Sequence, residues 1–209
     1  ICACLVGSEM CIRDRNTIVV LVAGSSMAIG WMDQHIPAII DAWYPGEQGG
    51  TAIAEVLFGD YNPAGRLPLT FYNSIEDLPD FDDYNVKNNR TYMYFEGKPL
   101  YAFGYGLSYT KFDYRNLNIK QDTQNVTLNF SIKNSGKYNG DEVAQVYVKF
   151  PDQGIKTPLK QLKGFKRVHI KKGATEQISI EIPKEELRLW DDQKKQFYTP
   201  CLLYTSPSP

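Results

Sequence analysis

The sequence predicts an incomplete α/β layer followed by an all-β sandwich, and three observations carry that prediction. Ile18 to Ala23 (IVVLVA) is a continuous apolar, β-branched run, followed by further strand-like and helix-like segments punctuated by Gly and Pro. Asp60 to Tyr109 is crowded with turn residues and aromatic rings. Beyond Phe112 the apolar period falls to two, the mark of strands with one buried and one wet face.

In the first module, the run Ile18 to Ala23 suits a strand buried on both faces of a parallel sheet, and Gly24-Ser25-Ser26 ends it. A second run, Ala38 to Trp43, follows Pro37 and stops at Pro45-Gly46, leaving Gly24 to Ile36 as a short crossover between parallel neighbours. Thr51 to Phe58 places Ile53, Val56 and Leu57 at i, i+3 and i+4, with Gly49-Gly50 before and Gly59 after, which predicts a helix with a glycine stop. The next segment reads as a wrapped connector, because disordered linkers are poor in rings whereas this one carries Tyr92, Tyr94, Phe95, Tyr101, Phe103, Tyr105 and Tyr109.

In the second module, Val126, Leu128, Phe130 and Ile132 alternate with polar residues and predict a strand. Glu142 to Lys149, Gly164 to Ile170, and the alternation Ile178, Ile180, Ile182 predict three more, with turns at Ser135-Gly136, Asn139-Gly140 and Lys172-Gly173. Short strands at this spacing predict a sandwich of immunoglobulin or fibronectin topology.

Composition narrows the function classes. The chain has 209 residues, 23 Lys and Arg against 24 Asp and Glu, and a net charge of -1, so no basic excess points to nucleic acid. No apolar run approaches the roughly 18 residues of a membrane span. The cysteines, Cys2, Cys4, Cys11 and Cys201, all lie in terminal segments unlike the rest of the chain. Residues 1–15 (ICACLVGSEMCIRDR) and 201–209 (CLLYTSPSP) resemble translated sequencing-adapter strings, and the first lacks the basic-then-apolar order of a secretory signal. The expectation is that both tails are foreign and that the native sequence is interrupted at both ends. The domain plan is then residues 16–75 for a partial α/β domain, 76–115 for the aromatic connector and 116–200 for the sandwich, its last strand after Phe197-Tyr198 replaced by the tail. Residues 16–200 hold no cysteine, so no metal or redox site is expected.

Few residues suggest chemistry. Gly46-Glu47-Gln48-Gly49-Gly50 precedes a helix, but its spacing fits neither dinucleotide nor phosphate-loop patterns, so it reads as a tight turn. The adjacent acids Asp82-Asp83, Glu185-Glu186 and Asp191-Asp192 read as solvated surface. His35 and His169 have no second ligand nearby, and strand parity points His169 outward. Ser25 and Ser26 follow the end of the first strand, where open α/β sheets present ligands, but they lack a nucleophile elbow and read as turn serines. No catalytic, cofactor-binding or metal residue is assigned.

The strings themselves say more. PAIIDAWYPGEQGG (Pro37 to Gly50) with AEVLFGDYNPAGRLP (Ala54 to Pro68) resembles the C-terminal α/β sandwich domain of glycoside hydrolase family 3. PLYAFGYGLSYT (Pro99 to Thr110) resembles that family's junction motif. Asn134-Ser135-Gly136, GDEVAQVYV (Gly140 to Val148) and LKGF (Leu162 to Phe165) resemble its fibronectin type III-like domain. The resemblance implies the C-terminal part of a retaining, exo-acting enzyme releasing β-linked xylose or glucose from oligosaccharides or glycosides, with an aspartate nucleophile and a glutamate acid/base. Both carboxylates are implied to lie upstream of Asn16, so the fragment is expected to be inactive, its substrate contacts falling to a missing N-terminal domain. Neither cofactor, nucleic acid nor membrane is implied, and a secreted or periplasmic location is. Met93 stands where the family usually has Arg, and Ala102 where it has Pro; Asp77 to Phe95 leans towards the β-xylosidase branch. The alternative is a carbohydrate-binding or adhesive module whose rings at Tyr92 to Tyr109 stack on sugars, although glycines and prolines among them favour packing between domains. Asn89, Asn125 and Asn129 occupy glycosylation sequons.

Overall fold

A computed structural model describes residues 17–151, 156–191 and 193–200. The tails 1–15 and 201–209, with all four cysteines, lie outside the described residues.

Strand β1 (Ile18–Leu21) pairs in parallel with β2 (Ala38–Asp41), setting Leu21 opposite Asp41. A six-residue helix, α1 (Gly30–His35), fills the crossover that the sequence suggested would be loop. Helix α2 (Gly49–Phe58) follows, and Gly59 closes it in the left-handed conformation at φ 84°. One expectation fails here: β1 is not buried on both faces, since Ile18 is half-exposed and only Leu21 is buried. The sheet has two strands among the described residues, and the core around Leu21, Ile29 and Phe71 is built from α1 and the connector.

The connector is ordered. Residues around Leu67 to Phe71 run beside Leu100 to Tyr105, joined by Phe71 N–H to Tyr101 O at 2.9 Å, Leu100 N–H to Phe71 O at 2.8 Å and Leu67 N–H to Tyr105 O at 2.8 Å. Between these ends the chain makes an excursion through a 3-10 turn (Ile75–Asp77) and a one-turn helix, α3 (Thr91–Tyr94).

The sandwich stacks β3 (Phe112–Gln121), β4 (Asn125–Asn134) and β7 (Thr175–Pro183) against β5 (Gly140–Val148) and β6 (Gln161–Ile170), all paired antiparallel. The four alternating residues of β4 are buried, and with Ala144, Val146, Ile170, Ile178, Ile180, Ile182 and Leu187 they form the core. Strand β3 is an element that alternation did not reveal, because its register shifts between Arg115 and Asn118, with Asn116 at φ 57°. A short hairpin of β8 (Leu189–Asp191) and β9 (Gln196–Tyr198) closes the described chain. Asn134, wholly buried, is the corner pin: its amide donates to Tyr138 O at 2.8 Å and Ile170 O at 3.0 Å, and its Oδ1 accepts from Thr110 Oγ1 at 2.6 Å and Gly136 N–H at 3.1 Å. All four hydrogen-bonding positions of that amide are satisfied, as burial requires.

Candidate functional site

Open α/β sheets bind ligands beyond the carboxyl ends of their strands. At that end of β1 and β2 two loops converge. Ala42 N–H donates to Leu21 O at 2.9 Å, and Trp43 N–H to Asp41 Oδ1 at 3.4 Å. Trp43 sits at φ 53°, a left-handed conformation that a bulky residue adopts only where its surroundings impose it. The ring of Tyr44, 77% exposed, lies over Gly24, where a Cβ would come 2.5 Å from Cε2. The other carboxylate oxygen of Asp41 is buried without a hydrogen-bond partner, and burial raises the acid's pKa above its ordinary value. This crest therefore combines an under-solvated carboxyl group, an exposed phenol and the hydroxyls of Ser25 and Ser26, groups suited to contacting a polar ligand from one side.

The second arrangement is the seam between the connector and the β5–β6 sheet. Arg66 and Glu142 meet at 2.6 Å with side chains only 14% and 10% exposed, and Tyr114 donates its hydroxyl to the same carboxylate at 2.7 Å. Burial, with the neighbouring Glu142 charge, pushes the Tyr114 hydroxyl pKa up, which keeps it a donor. Beside this triad, Tyr92 stacks on Phe103 at 4.1 Å, and both present edges to Tyr147, at 6.1 and 6.4 Å. Lys160 caps the Tyr147 ring at 4.7 Å. Gln145 donates to Gly104 O at 3.1 Å and accepts from Tyr147 at 2.5 Å, while Tyr92 Oη accepts Leu162 N–H at 3.0 Å. Burial pushes Tyr147 up to about 12. Further along, Asn62 Nδ2 donates to Asn139 O at 3.0 Å, and Arg167 donates to Tyr61 Oη at 2.7 Å. The aromatic faces of the connector are thus spent largely on one another and on β5, as expected of packing between domains.

Residues 8–109 match the glycosyl hydrolase family 3 C-terminal domain, and residues 142–204 match a fibronectin type III-like domain. The chain carries the C-terminal domain of glycoside hydrolase family 3, followed by a fibronectin type III-like domain. It is 42% identical over 187 residues to the xylan 1,4-beta-xylosidase of Xylanibacter ruminicola, covering 88% of this chain and 21% of that protein. With the periplasmic beta-glucosidase of Salmonella typhimurium it shares 38% over 196 residues, 87% of this chain and 26% of the other. Among solved structures, beta-glucosidase 3B of Thermotoga neapolitana in complex with glucose superposes with a TM-score of 0.80 at 33% identity, over 88% of this chain and 28% of that one. The chain therefore spans about a quarter of the length of the family 3 relatives it matches.

Within this chain the residues singled out from sequence are scattered. His35 stacks on Trp31 at 4.5 Å, its Nδ1 2.7 Å from Trp31 O, and His169 points outward to Asp141 at 2.7 Å. Asp83 is held below its ordinary range by hydrogen bonds from Asn88 and the Asn85 amide. Glu185 faces Arg188 at 3.8 Å, and Asp191 caps the Gln193 and Lys194 amides at 2.9 and 3.0 Å; Asp192 lies outside the described residues. Gly49 is buried, and a Cβ there would meet the Pro45 ring at 2.5 Å, the close packing expected of the glycine turn. Met93 accepts Leu159 N–H on its carbonyl at 2.7 Å. Among the described residues no group of three potential ligands could hold a metal ion, and no helix is long and apolar enough to cross a membrane. Asp41, Trp43, Arg66 and Glu142 were not singled out. For Glu142 a signal existed: it shares parity with buried Ala144 and Val146, and an inward acid requires a partner.

Proposed function

We propose that this chain is the C-terminal portion of a retaining, exo-acting β-glycosidase that releases terminal xylose or glucose from oligosaccharides or glycosides. Supporting it are the two matched modules in one order and the relatives named as β-xylosidases and β-glucosidases. In such an enzyme one carboxylate attacks the anomeric carbon and a second protonates the leaving oxygen, the two about 5 Å apart. Neither role is assigned to a residue here. The chain's own part is structural: the seam joins the sandwich to the connector, and the crest at Asp41 to Tyr44 offers a polar wall where strands end. Residues 1–15 and 201–209 are proposed to be foreign tails, with 16–75, 76–115 and 116–200 as the native segments. A secreted or periplasmic location is proposed, and the relative named as periplasmic supports it.

Two measurements test this reading. The coding DNA upstream of Asn16 should encode several hundred further residues with an aspartate-bearing domain; a secretion signal fused directly to Asn16 would refute it. The 209-residue chain should hydrolyse neither nitrophenyl xyloside nor nitrophenyl glucoside. Turnover in homogeneous protein would place a carboxylate pair within these residues. Binding of xylan by the isolated chain, with affinity lost on altering Tyr92 to Tyr109, would favour the carbohydrate-binding module instead.

A further inference from the structure

The connector's excursion carries a surface that the seam does not use. From Ile75 to Val86 the large apolar side chains Ile75, Leu78, Phe81, Tyr84 and Val86 all face solvent, with Phe81 at 89%, Tyr84 at 81% and Ile75 at 76% exposed. The same residues contain five acids, Glu76, Asp77, Asp80, Asp82 and Asp83, and no base. The segment is not a loose loop. Ser74 and Asp77 form a reciprocal cap on the 3-10 turn, Asp83 N–H donates to Asp80 O at 3.0 Å, and Asp83 accepts from Asn85 N–H at 2.9 Å and Asn88 Nδ2 at 2.8 Å. Arg90 ties the far side to Asp80 O at 2.8 Å. Polar groups hold the fold of the loop while its rings point outward, an inversion of ordinary surface order that marks an interaction site.

We propose that residues 75–86 form a docking surface for the part of a family 3 glycoside hydrolase that this chain does not span, through an apolar face rimmed with lysine and arginine. The proposal rests on the functional reading above. Two observations select this occupant. The chain accounts for 21% and 26% of the length of its relatives, so most of such a polypeptide lies outside it. A second copy would bring five acids against five, a like-charge contact that disfavours self-association, whereas a basic-rimmed partner gains steering and register from them.

The test combines the 209-residue chain with a purified form of the Xylanibacter ruminicola xylosidase lacking its matched C-terminal fifth. Association is read by fluorescence anisotropy and turnover by nitrophenyl xyloside. The wild-type chain should bind, Phe81→Ser with Tyr84→Ser should weaken binding about tenfold or more, and Phe165→Ser on exposed β6 should not. Raising salt from about 50 to about 500 mM should weaken the wild-type complex about tenfold and the variant Asp80→Asn/Asp82→Asn much less. Equal binding by the wild-type and patch-variant chains, or no binding at all, overturns the proposal. Sedimentation of the chain alone gives a check independent of the truncated partner: a dimer that Phe81→Ser/Tyr84→Ser abolishes makes a second copy the occupant and also overturns it. Affinity of the patch for xylo-oligosaccharide in place of the protein does the same. Patch-dependent binding without restored turnover leaves the docking surface standing and counts against the glycosidase reading; turnover restored equally by the patch variant does the reverse.

Discussion

Replacing Glu142 by Ala isolates what the seam contributes. The carboxylate lies 2.6 Å from Arg66 and accepts the Tyr114 hydroxyl at 2.7 Å, with both ionic side chains at least 86% shielded. Truncation leaves a guanidinium buried without its counterion and a phenol without its acceptor, and breaking a buried pair from one side costs about 3–5 kcal/mol. For a domain pair of this size each kcal/mol moves the melting midpoint by about 2–4 °C, so the variant should melt about 6–20 °C lower. The pair replaced together, Arg66→Met with Glu142→Leu, should recover most of the loss, since well-packed apolar substitutes often match a buried ion pair. Urea unfolding of wild type, Arg66→Met, Glu142→Leu and the double variant gives the coupling directly. Hydrogen exchange adds the location: in Glu142→Ala the amides of Leu67 and Phe71 should exchange faster, while Ile132 in the sandwich core should stay protected. A loss below about 1 kcal/mol would mean that water already screens the pair, and the seam would not be the element joining the modules.

Two other substitutions probe neighbouring contacts. Gly104 lies at φ 83° with Gln145 Oε1 and Tyr147 Oη too near for a Cβ, so Gly104→Ala should cost about 2 kcal/mol or more in urea unfolding; an unchanged midpoint would show that the seam yields there. Asp141 is subject to burial, which raises its pKa, but the hydrogen bonds and charges of His169 and Arg167 outweigh that and hold it below the ordinary value of an aspartate. Its folded value lies below its unfolded one, so its stabilisation is complete above about pH 4 and is lost as pH falls through the folded value. Asp141→Asn should therefore be less stable than wild type at pH 7 and converge with it in strong acid. A difference independent of pH would remove the ionic role.

Periodicity was legible where one face of a strand meets the core and the other meets water. Val126 to Ile132 and Ile178 to Ile182 satisfy that condition, and the structure buries the alternating members of both. Strand β3 does not satisfy it, since a register shift interrupts its pairing and Arg115 to Asn118 are exposed. Helix α1 is too short to show a 3.6-residue period, and β1 read as doubly buried because a β-branched run looks the same whether one layer or two cover it. The site features were harder for a different reason. Arg66 and Glu142 are 76 positions apart, Asn62 and Asn139 are 77 apart, and Tyr61 and Arg167 are 106 apart, so no local window contains both members of any pair. Even so, half of each pair leaves a trace, because a charge at an inward strand position is unstable alone and so announces a partner without naming it. Asp41 extends the same logic to function. Its buried oxygen lacks a partner among the described residues, and a carboxyl group held that way at a strand end is costly unless something else satisfies it.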